Sequence, residues 1–288
     1  MPERSMRPVN ATHAADYSPE QLRLVKATCL YIATRLGDLM EDVVIVGGLP
    51  PSLLIDPDDL PQGVQAHPGT MDLDLGLALT LLSEGRYHTL ADRLRDAGFR
   101  QDFNEKGNQT RQRWEIGSQR KVTVDFLIPP SRDDDRGGSL RHIEADLAAF
   151  IAPGLHLAFR DKEKKKLEGL TIFDEKANRD VWVCGPGAYM ALKALAFDGR
   201  GNPKDAYDLF YVARYYGKGV KDVAVRLGSL LDDAAASKAI EILRRDFGDL
   251  DAVGPKRVTE FLFGEPDDAT QADVVGTISE LLSACERF

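Results

Sequence analysis

Two aspartates in a short apolar segment are the residues of this sequence whose types and spacing most clearly suggest chemistry. Asp72 and Asp74 lie two positions apart in residues 70–79, a segment that is predicted to form a β-strand. Alternate residues of a strand share a face, so the two carboxylates would lie side by side and repel each other. A divalent cation with hard oxygen ligands, Mg²⁺ or Mn²⁺, relieves that repulsion and keeps coordination positions for phosphates. We therefore expect a metal site here, and a solvated strand end is the alternative.

Two further features strengthen the hypothesis of a metal site that handles phosphates. Asp125 is a lone acid in the apolar strand pattern of residues 121–128, which makes it a candidate third ligand. Gly47 and Gly48 follow the β-branched segment Val43–Val46. Glycines after a buried strand let backbone N–H groups approach a phosphate closely, although an ordinary strand-to-helix turn would look the same.

These elements resemble the nucleotidyltransferase superfamily, the fold of DNA polymerase β-like transferases. There a strand and a Gly-Gly or Gly-Ser turn precede a D-x-D pair, and another carboxylate lies on a later strand. Residues 188–196 carry Lys193, and residues 200–209 read R-G-N-P-K-D-A-Y-D-L. This arrangement is similar to the AbiEii family of toxins. The resemblance covers roughly residues 40–215, and the K-D-A-Y-D-L stretch is its most specific part.

The resemblance implies a metal centre and a reaction. Asp72, Asp74 and Asp125 would bind Mg²⁺ or Mn²⁺ and act as the catalytic carboxylates, with an NTP as co-substrate. Asp125 would complete a second metal position or help to deprotonate the acceptor hydroxyl. In-line attack at the α-phosphorus would then transfer a nucleoside monophosphate and release pyrophosphate.

The resemblance also implies contacts to the nucleotide. Gly47 and Gly48 would lie against its phosphates. The next residue, Leu49, has no hydroxyl, whereas small hydroxylated residues are frequent there in the superfamily, and Ser52 could supply that group. Lys193 would bind the phosphates and offset charge that develops during phosphoryl transfer. By residue type alone, its ammonium could instead extend to solvent from an apolar helix.

The K-D-A-Y-D-L stretch contributes three more charged residues. By the resemblance, Lys204 and Asp205 face the cleft, Lys204 as a nucleotide contact and Asp205 as a catalytic residue, while Asp208 supports them. The spacing allows two other interpretations. Lys204 and Asp208 are four apart and could form a helical ion pair. Asp205 could orient Lys193 or cap the start of its helix.

Composition places the chain among ordinary globular proteins. Its 288 residues are 43% hydrophobic and 29% charged, a length that suffices for two modest domains or one large α/β unit. Three widely spaced cysteines argue for a reducing compartment and against a disulfide scaffold or a zinc site. No apolar stretch approaches the length of a membrane span, and the N-terminus lacks the apolar core of a signal peptide. We therefore expect a cytoplasmic protein with no membrane partner.

The net charge of −9 means that a polyanion would have to meet a local basic patch. Two groups of residues are candidates. The first is residues 160–166, for which a solvated turn between two strands is the favoured interpretation. The second comprises four cations that could line a rim of the cleft: Arg111, Arg113, Arg120 and Lys121.

The sequence is compatible with more than one acceptor for the nucleotide. The resemblance implies a toxin of a type IV-like system that adds nucleotides to the 3′ end of tRNA and is paired with a separate antitoxin protein. Arg111, Arg113 and residues 160–166 could hold such an RNA through its phosphates. An acidic protein suits a polycation such as an aminoglycoside better. A catalytically inactive nucleotide-binding module is the third hypothesis.

The pattern along the chain predicts an α+β fold. We predict a disordered tail over residues 1–16, a mixed-sheet nucleotidyltransferase domain over 17–184, and a helical bundle over 185–288. Ser18 and Gln21 are predicted to form a capping box at the start of the first helix. One helix is predicted over 220–234, and His67 is interpreted as a loop histidine rather than a site residue.

Overall fold

The fold was examined in a computed structural model that describes residues 11–78, 86–103, 109–117, 122–143 and 147–287. These residues form ten α-helices and nine β-strands. The helices are α1 (Pro19–Leu36), α2 (Pro51–Leu54), α3 (Arg86–Asp96), α4 (Leu157–Arg160), α5 (Pro186–Arg200), α6 (Pro203–Tyr215), α7 (Val220–Gly228), α8 (Ala234–Phe247), α9 (Val253–Phe263) and α10 (Asp268–Cys285). The strands are β1 (Val43–Val46), β2 (Asp72–Leu77), β3 (Arg100–Phe103), β4 (Gln109–Ile116), β5 (Val122–Ile128), β6 (Leu140–His142), β7 (Ala148–Ile151), β8 (Lys162–Leu170) and β9 (Lys176–Cys184).

All nine strands belong to one mixed sheet. Its main order is β3-β4-β5-β2-β1-β9-β8, and β7 pairs with both β5 and β6. β2 is parallel to β5, and β1 is parallel to β9, whereas the pairs β1–β2, β4–β5 and β8–β9 are antiparallel. The described residues after β9 contain helices α5 to α10. The predicted α+β class, with a mixed sheet followed by a helical region, is therefore confirmed.

The alternation predicted for the D-x-D segment is present in β2. Leu73 and Leu75 are fully buried, whereas Asp72 and Asp74 are half-buried on the opposite face. One side of the strand therefore packs into the hydrophobic core, and the other side carries the two carboxylates. Burying the leucines fixes the register, because a slip of one residue would move both acids into the core.

The start of α1 confirms one half of the predicted capping box. Ser18 Oγ accepts a hydrogen bond from the backbone N–H of Gln21 at 3.1 Å. The other half, a hydrogen bond from the backbone N–H of Ser18 to the Gln21 side chain, is not among the contacts of these described residues, and the Gln21 amide donates to the carbonyl of Met71 at 3.3 Å. Gln21 thereby ties α1 to the residue that precedes the D-x-D strand.

Residues 1–10 of the predicted tail lie outside the described residues. Within the rest of that tail, Ala14–Asp16 form a 3₁₀ turn, and His13 Nδ1 lies 3.0 Å from the carbonyl oxygen of Glu260 in α9.

The β8–β9 hairpin contradicts the interpretation of the lysine-rich run as a turn. Residues 162–166 lie within β8, which pairs with β9 from Lys162 opposite Cys184 to Leu170 opposite Lys176. Leu167 is the one buried residue of β8. An edge strand with one solvated face has little hydrophobic alternation, and this explains why the sequence pattern did not reveal it.

The helix predicted over 220–234 is wrong in its length. α7 ends at Gly228, and α8 begins at Ala234. Asp233 is the N-cap of α8, and its side chain accepts from the N–H of Ala235 at 2.8 Å. Because the Asp233 side chain caps the first turn of α8, a separate helix begins there and α7 does not continue through it.

Asp161 links the sheet to the helical region. Its carboxylate accepts the backbone N–H of Ala188, in the first turn of α5, at 2.8 Å. It also accepts from Arg226 Nε of α7 at 2.6 Å. Asp161 is buried, so its carboxylate depends on these donors in place of water.

Replacing Asp161 with alanine is expected to lower the free energy of unfolding by about 3 kcal/mol, because it leaves the N–H of Ala188 without its acceptor and the half-buried guanidinium of Arg226 with Glu163 alone. The matched control is Asp232→Ala, which removes a surface pair with Arg160 and should cost less than about 1 kcal/mol. Guanidinium denaturation of both variants measures the difference. Equal losses would show that the Asp161 contacts do not stabilise the junction.

Two further properties of the described residues concern membrane-spanning helices and cysteine thiols. Among them, no helix is both long enough and apolar enough to cross a bilayer. Cys29, Cys184 and Cys285 are all buried and carry free thiols. Burial raises the pKa of the Cys29 thiol to about 12, so this group stays protonated and unreactive at neutral pH.

Candidate functional site

Three predicted site carboxylates meet on one face of the sheet. The parallel register of β2 and β5 places Asp74 directly opposite Asp125, and Asp72 lies two residues earlier on the same face. One carboxylate oxygen from each of the three residues lies within 4.8 Å of the others. Hard oxygen donors at this separation are the set that Mg²⁺ or Mn²⁺ takes in proteins.

Because the three acids lie close together, their ionisation is less favourable. Burial raises the pKa of Asp74 well above its ordinary value, and the neighbouring Asp72 and Asp125 carboxylates raise it further. Burial also raises the pKa of Asp125, although the guanidinium of Arg113 opposes this effect. A cation between the three groups would remove the repulsion, so the donor set and its charge both fit a divalent metal.

Arg113 contacts one of the three carboxylates directly, whereas the sequence analysis predicted only a position on a rim of the cleft. The antiparallel register of β4 and β5 sets it opposite Asp125, and its Nε and Nη2 atoms donate to that carboxylate at 2.8 and 2.6 Å. This bidentate pair fixes the orientation of Asp125. Arg111 is exposed on the same strand, whereas Arg120 and Lys121 lie outside the described residues.

The predicted glycine turn lies directly against the carboxylates. Gly47 has φ = 70°, and a β-carbon there would lie 1.8 Å from Asp74 Oδ2. A β-carbon on Gly48 would lie 2.6 Å from Thr70 Oγ1 and 3.6 Å from Lys204 Nζ. Only glycine allows this backbone to approach both the acid strand and the lysine. The turn, the D-x-D strand and α6 therefore converge on one point.

Ser52 lies beyond this turn, in α2. Its hydroxyl is buried and has no hydrogen-bond partner among the described residues, while its carbonyl accepts from Lys26 Nζ at 2.9 Å. The proposed contact between this hydroxyl and a phosphate stays a prediction.

A cluster of five charged side chains, four buried and one exposed, lies beside the carboxylates. Lys193 Nζ is 2.7 Å from Asp208 Oδ2 and 2.9 Å from Asp205 Oδ1. Lys204 Nζ is 2.9 and 3.0 Å from the two oxygens of Asp208, and Arg200 binds Asp205 through two hydrogen bonds of 2.6 and 2.8 Å. The predicted helical ion pair and the predicted contact from Asp205 to Lys193 are thus both present in the geometry. We call these five residues the cation cluster.

The pKa shifts show how strongly the cation cluster is coupled. Burial alone would raise the pKa of Asp208, but Lys193 and Lys204 outweigh it and hold that pKa well below its ordinary value. Burial would lower the pKa of Lys193, but Asp205 and Asp208 outweigh it and raise that pKa. Burial lowers the pKa of Lys204 despite Asp208. With three cations and two carboxylates, the cluster can accept one further negative charge.

The carboxylates and the cation cluster act on each other. The positive charges of Lys193 and Arg200 lower the pKa of Asp74, in opposition to its burial and its acidic neighbours. The site therefore has an acidic side suited to a metal ion and a basic side suited to an anion. Such a pairing is what a metal-bound polyphosphate requires.

His67 adjoins the cation cluster, a contact that the sequence analysis did not include. It lies in a loop, as predicted, but it is buried, and its Nε2 lies 2.8 Å from Asp208 Oδ1. Its ring packs against Tyr207 and Tyr211, with centroids 5.6 and 5.0 Å apart. A polar partner inside the protein explains why this loop side chain is not solvated.

The buried His67 predicts a pH dependence of stability. Burial lowers its folded-state pKa to about 4, against an ordinary value near 6.5, even though Asp208 opposes that change. The unfolded chain therefore takes up a proton first, and stability is lost as the pH falls below the unfolded pKa. Between about pH 7.5 and about pH 5 the loss should be about 2 kcal/mol larger in the wild type than in His67→Gln. Urea denaturation across this range measures the slope, and equal slopes would contradict the prediction.

Three other residues at this site were not predicted. Thr70 Oγ1 donates to Asp72 Oδ1 at 2.8 Å, and the ring of Tyr17 lies 5.5 Å from Lys204 Nζ. Arg200, in the last turn of α5, holds Asp205. Thr70 lies two residues before Asp72, so strand alternation could have placed its side chain on the same face as the carboxylates. No sequence pattern points to Tyr17.

The basic run of residues 160–166 does not border the carboxylates. β1 and β9 separate β8 from β2, a displacement of about 14 Å at the usual strand spacing. Lys165 pairs with Glu163 at 3.0 Å, and Lys162 lies over the ring of Trp182 at 4.2 Å. Much of the positive charge of this basic run is therefore in contact with neighbouring side chains.

In comparisons with known proteins, no family model matches this chain, and no curated protein is significantly similar to it. The chemistry of the site is therefore inferred from its own residues.

Proposed function

We propose that this protein is a metal-dependent nucleotidyltransferase that transfers a nucleoside monophosphate from an NTP to an acceptor hydroxyl. The observation that carries the proposal is the convergence of Asp72, Asp74 and Asp125, with ligand oxygens within 4.8 Å of one another, beside a glycine turn and buried lysines. This arrangement combines a donor set for Mg²⁺ or Mn²⁺ with groups that bind phosphate. The sequence resemblance to AbiEii toxins supports the same reaction.

Each part of the site has a role in this proposal. Asp72 and Asp74 would hold the metal, which when bound supplies Lewis-acid stabilisation of the phosphates. The backbone of Gly48 and the ammonium of Lys204 would contact the polyphosphate, and Lys193 would supply a further positive charge.

Asp125 would accept the proton of the attacking hydroxyl or take part in the metal site. The raised pKa of this carboxyl group makes it a better base than an ordinary aspartate. The bidentate contact from Arg113 would hold it in one orientation.

The acceptor we propose is the 3′ end of tRNA, which would block aminoacylation and translation, with a cognate antitoxin as the protein partner. The exposed Arg111, two residues from Arg113 on β4, supports contact with an RNA backbone near the carboxylates. A second candidate acceptor is an aminoglycoside-like small molecule, because the net charge of −9 favours a polycation.

The test is incubation with each α-³²P-labelled NTP, Mg²⁺ and total tRNA. Wild type, Asp72→Ala and the control Asp59→Ala, which changes an exposed acid at the end of the 3₁₀ turn Pro57–Asp59, are run together. Label on tRNA with wild type and Asp59→Ala, but not with Asp72→Ala, is the expected result. Transfer to aminoglycosides alone would favour the second candidate. Absence of transfer to any acceptor and of NTP turnover would reject the proposal in favour of an inactive module.

A further inference from the structure

We propose that His67 is a positioning residue that, through Asp208, holds the ammonium groups of Lys193 and Lys204 where they bind the polyphosphate of the nucleotide. This inference rests on the proposed function and extends it to a residue outside the metal-binding carboxylates and the lysines themselves.

The backbone N–H and both ring nitrogens of His67 form hydrogen bonds. Its backbone N–H donates to the Tyr211 hydroxyl at 3.0 Å, and Nδ1 accepts from the N–H of Gly69 at 3.1 Å. Because Nδ1 is an acceptor, the ring proton lies on Nε2, which donates to Asp208 Oδ1 at 2.8 Å. The ring therefore has one orientation and one tautomer, and Asp208 receives a directed hydrogen bond.

Asp208 transmits that orientation to both lysines. The donors from His67 and Lys204 meet its Oδ1, and Lys193 and Lys204 meet its Oδ2. The imidazole is held by the surrounding fold, whereas each ammonium lies at the end of a flexible side chain. Without the imidazole donor, the carboxylate could rotate, and both ammonium groups would move with it. A displacement of about 1 Å is enough to reduce catalysis substantially.

His67 also connects the cation cluster to the metal strand. Residues 67–70 lead directly into β2, and Thr70 at the end of this segment donates to Asp72. The position of the ammonium groups is thereby tied to the position of the carboxylates. His67 faces Asp208, the carboxylate that contacts both lysines.

Two substitutions separate the positioning role from a role in folding alone. Glutamine is long enough to place an N–H₂ donor near the position of Nε2, so His67→Gln keeps the bond to Asp208. Asparagine reaches only the position of Nδ1, so His67→Asn keeps an acceptor for Gly69 and loses the donor to Asp208. Isothermal titration calorimetry measures the binding of inorganic tripolyphosphate in the presence of Mg²⁺, and steady-state kinetics give kcat and KM for the NTP.

We expect His67→Asn to weaken tripolyphosphate binding and to raise KM by about tenfold or more, and His67→Gln to remain within about threefold of the wild type. Binding of Mn²⁺ by the carboxylates, followed by electron paramagnetic resonance, should be unchanged in both variants. Thermal denaturation shows what fraction of each variant is folded at the assay temperature.

The outcomes are distinguishable. Equal tripolyphosphate binding by the wild type and both variants would overturn the inference. A loss in both variants that follows only their loss of folded protein would also overturn it. Binding that differs between His67→Asn and His67→Gln, in a protein that transfers no nucleotide, would reject the proposed function and retain the role of His67. A folded wild type that binds no tripolyphosphate would overturn both.

Discussion

Replacing Asp74 with asparagine is expected to lower nucleotide transfer by roughly 10³-fold or more and, at neutral pH, to raise thermal stability. The loss of activity follows because a bound metal contributes several kcal/mol to transition-state stabilisation, and each 1.36 kcal/mol is a factor of ten. The gain in stability follows because burial and the neighbouring carboxylates raise the pKa of Asp74 in the folded state. The charged form therefore destabilises the fold, and a neutral side chain of the same shape removes that cost.

Activity assays with saturating Mg²⁺ and thermal denaturation without added metal measure the two effects. Asp59→Asn, which changes an exposed acid, is the matched control and should alter neither. The stability gain should shrink as the pH is lowered, because the wild-type carboxyl group then becomes protonated as well. A variant that is less stable than the wild type in the absence of metal would contradict the electrostatic account of this site.

Replacing Asp208 with asparagine is expected to reduce the free energy of unfolding by about 3–5 kcal/mol. The carboxylate is fully buried and faces Lys193 and Lys204, so its loss leaves two buried ammonium groups with too little counter-charge. Guanidinium denaturation measures the loss. The control, Asp273→Asn, removes a surface pair with Arg214 of the same helix α6 and should cost less than about 1 kcal/mol.

A double variant tests the cause of that loss. In the Asp208→Asn background, Lys204→Met removes one uncompensated buried charge and should restore part of the stability. In the wild-type background the same substitution should be destabilising, because it takes a cation away from Asp208. Such opposite signs give a large coupling energy between the two positions. Additive effects would show that the two side chains do not stabilise each other.

Local patterns in the sequence were sufficient for the elements around the acid strand. The alternation of leucine and aspartate in residues 72–77 predicted a strand with one buried face, and the structure shows it. Pro186 at the first position of α5, and Ser18 as the N-cap of α1, follow rules that depend only on neighbouring residues. Propensity and periodicity act over a few residues, so these features can be inferred without the fold.

The partners of the charged side chains were decided by the tertiary structure. His67 and Asp208 are separated by 141 positions, and Arg113 reaches Asp125 only because β4 and β5 pair in one register. The β8–β9 hairpin escaped prediction because an edge strand with a solvated face carries little hydrophobic periodicity. The sequence thus determined which residues could do chemistry and which local elements carry them. The tertiary structure decided which charges are buried together, because burial and pairing depend on contacts between segments far apart in the chain.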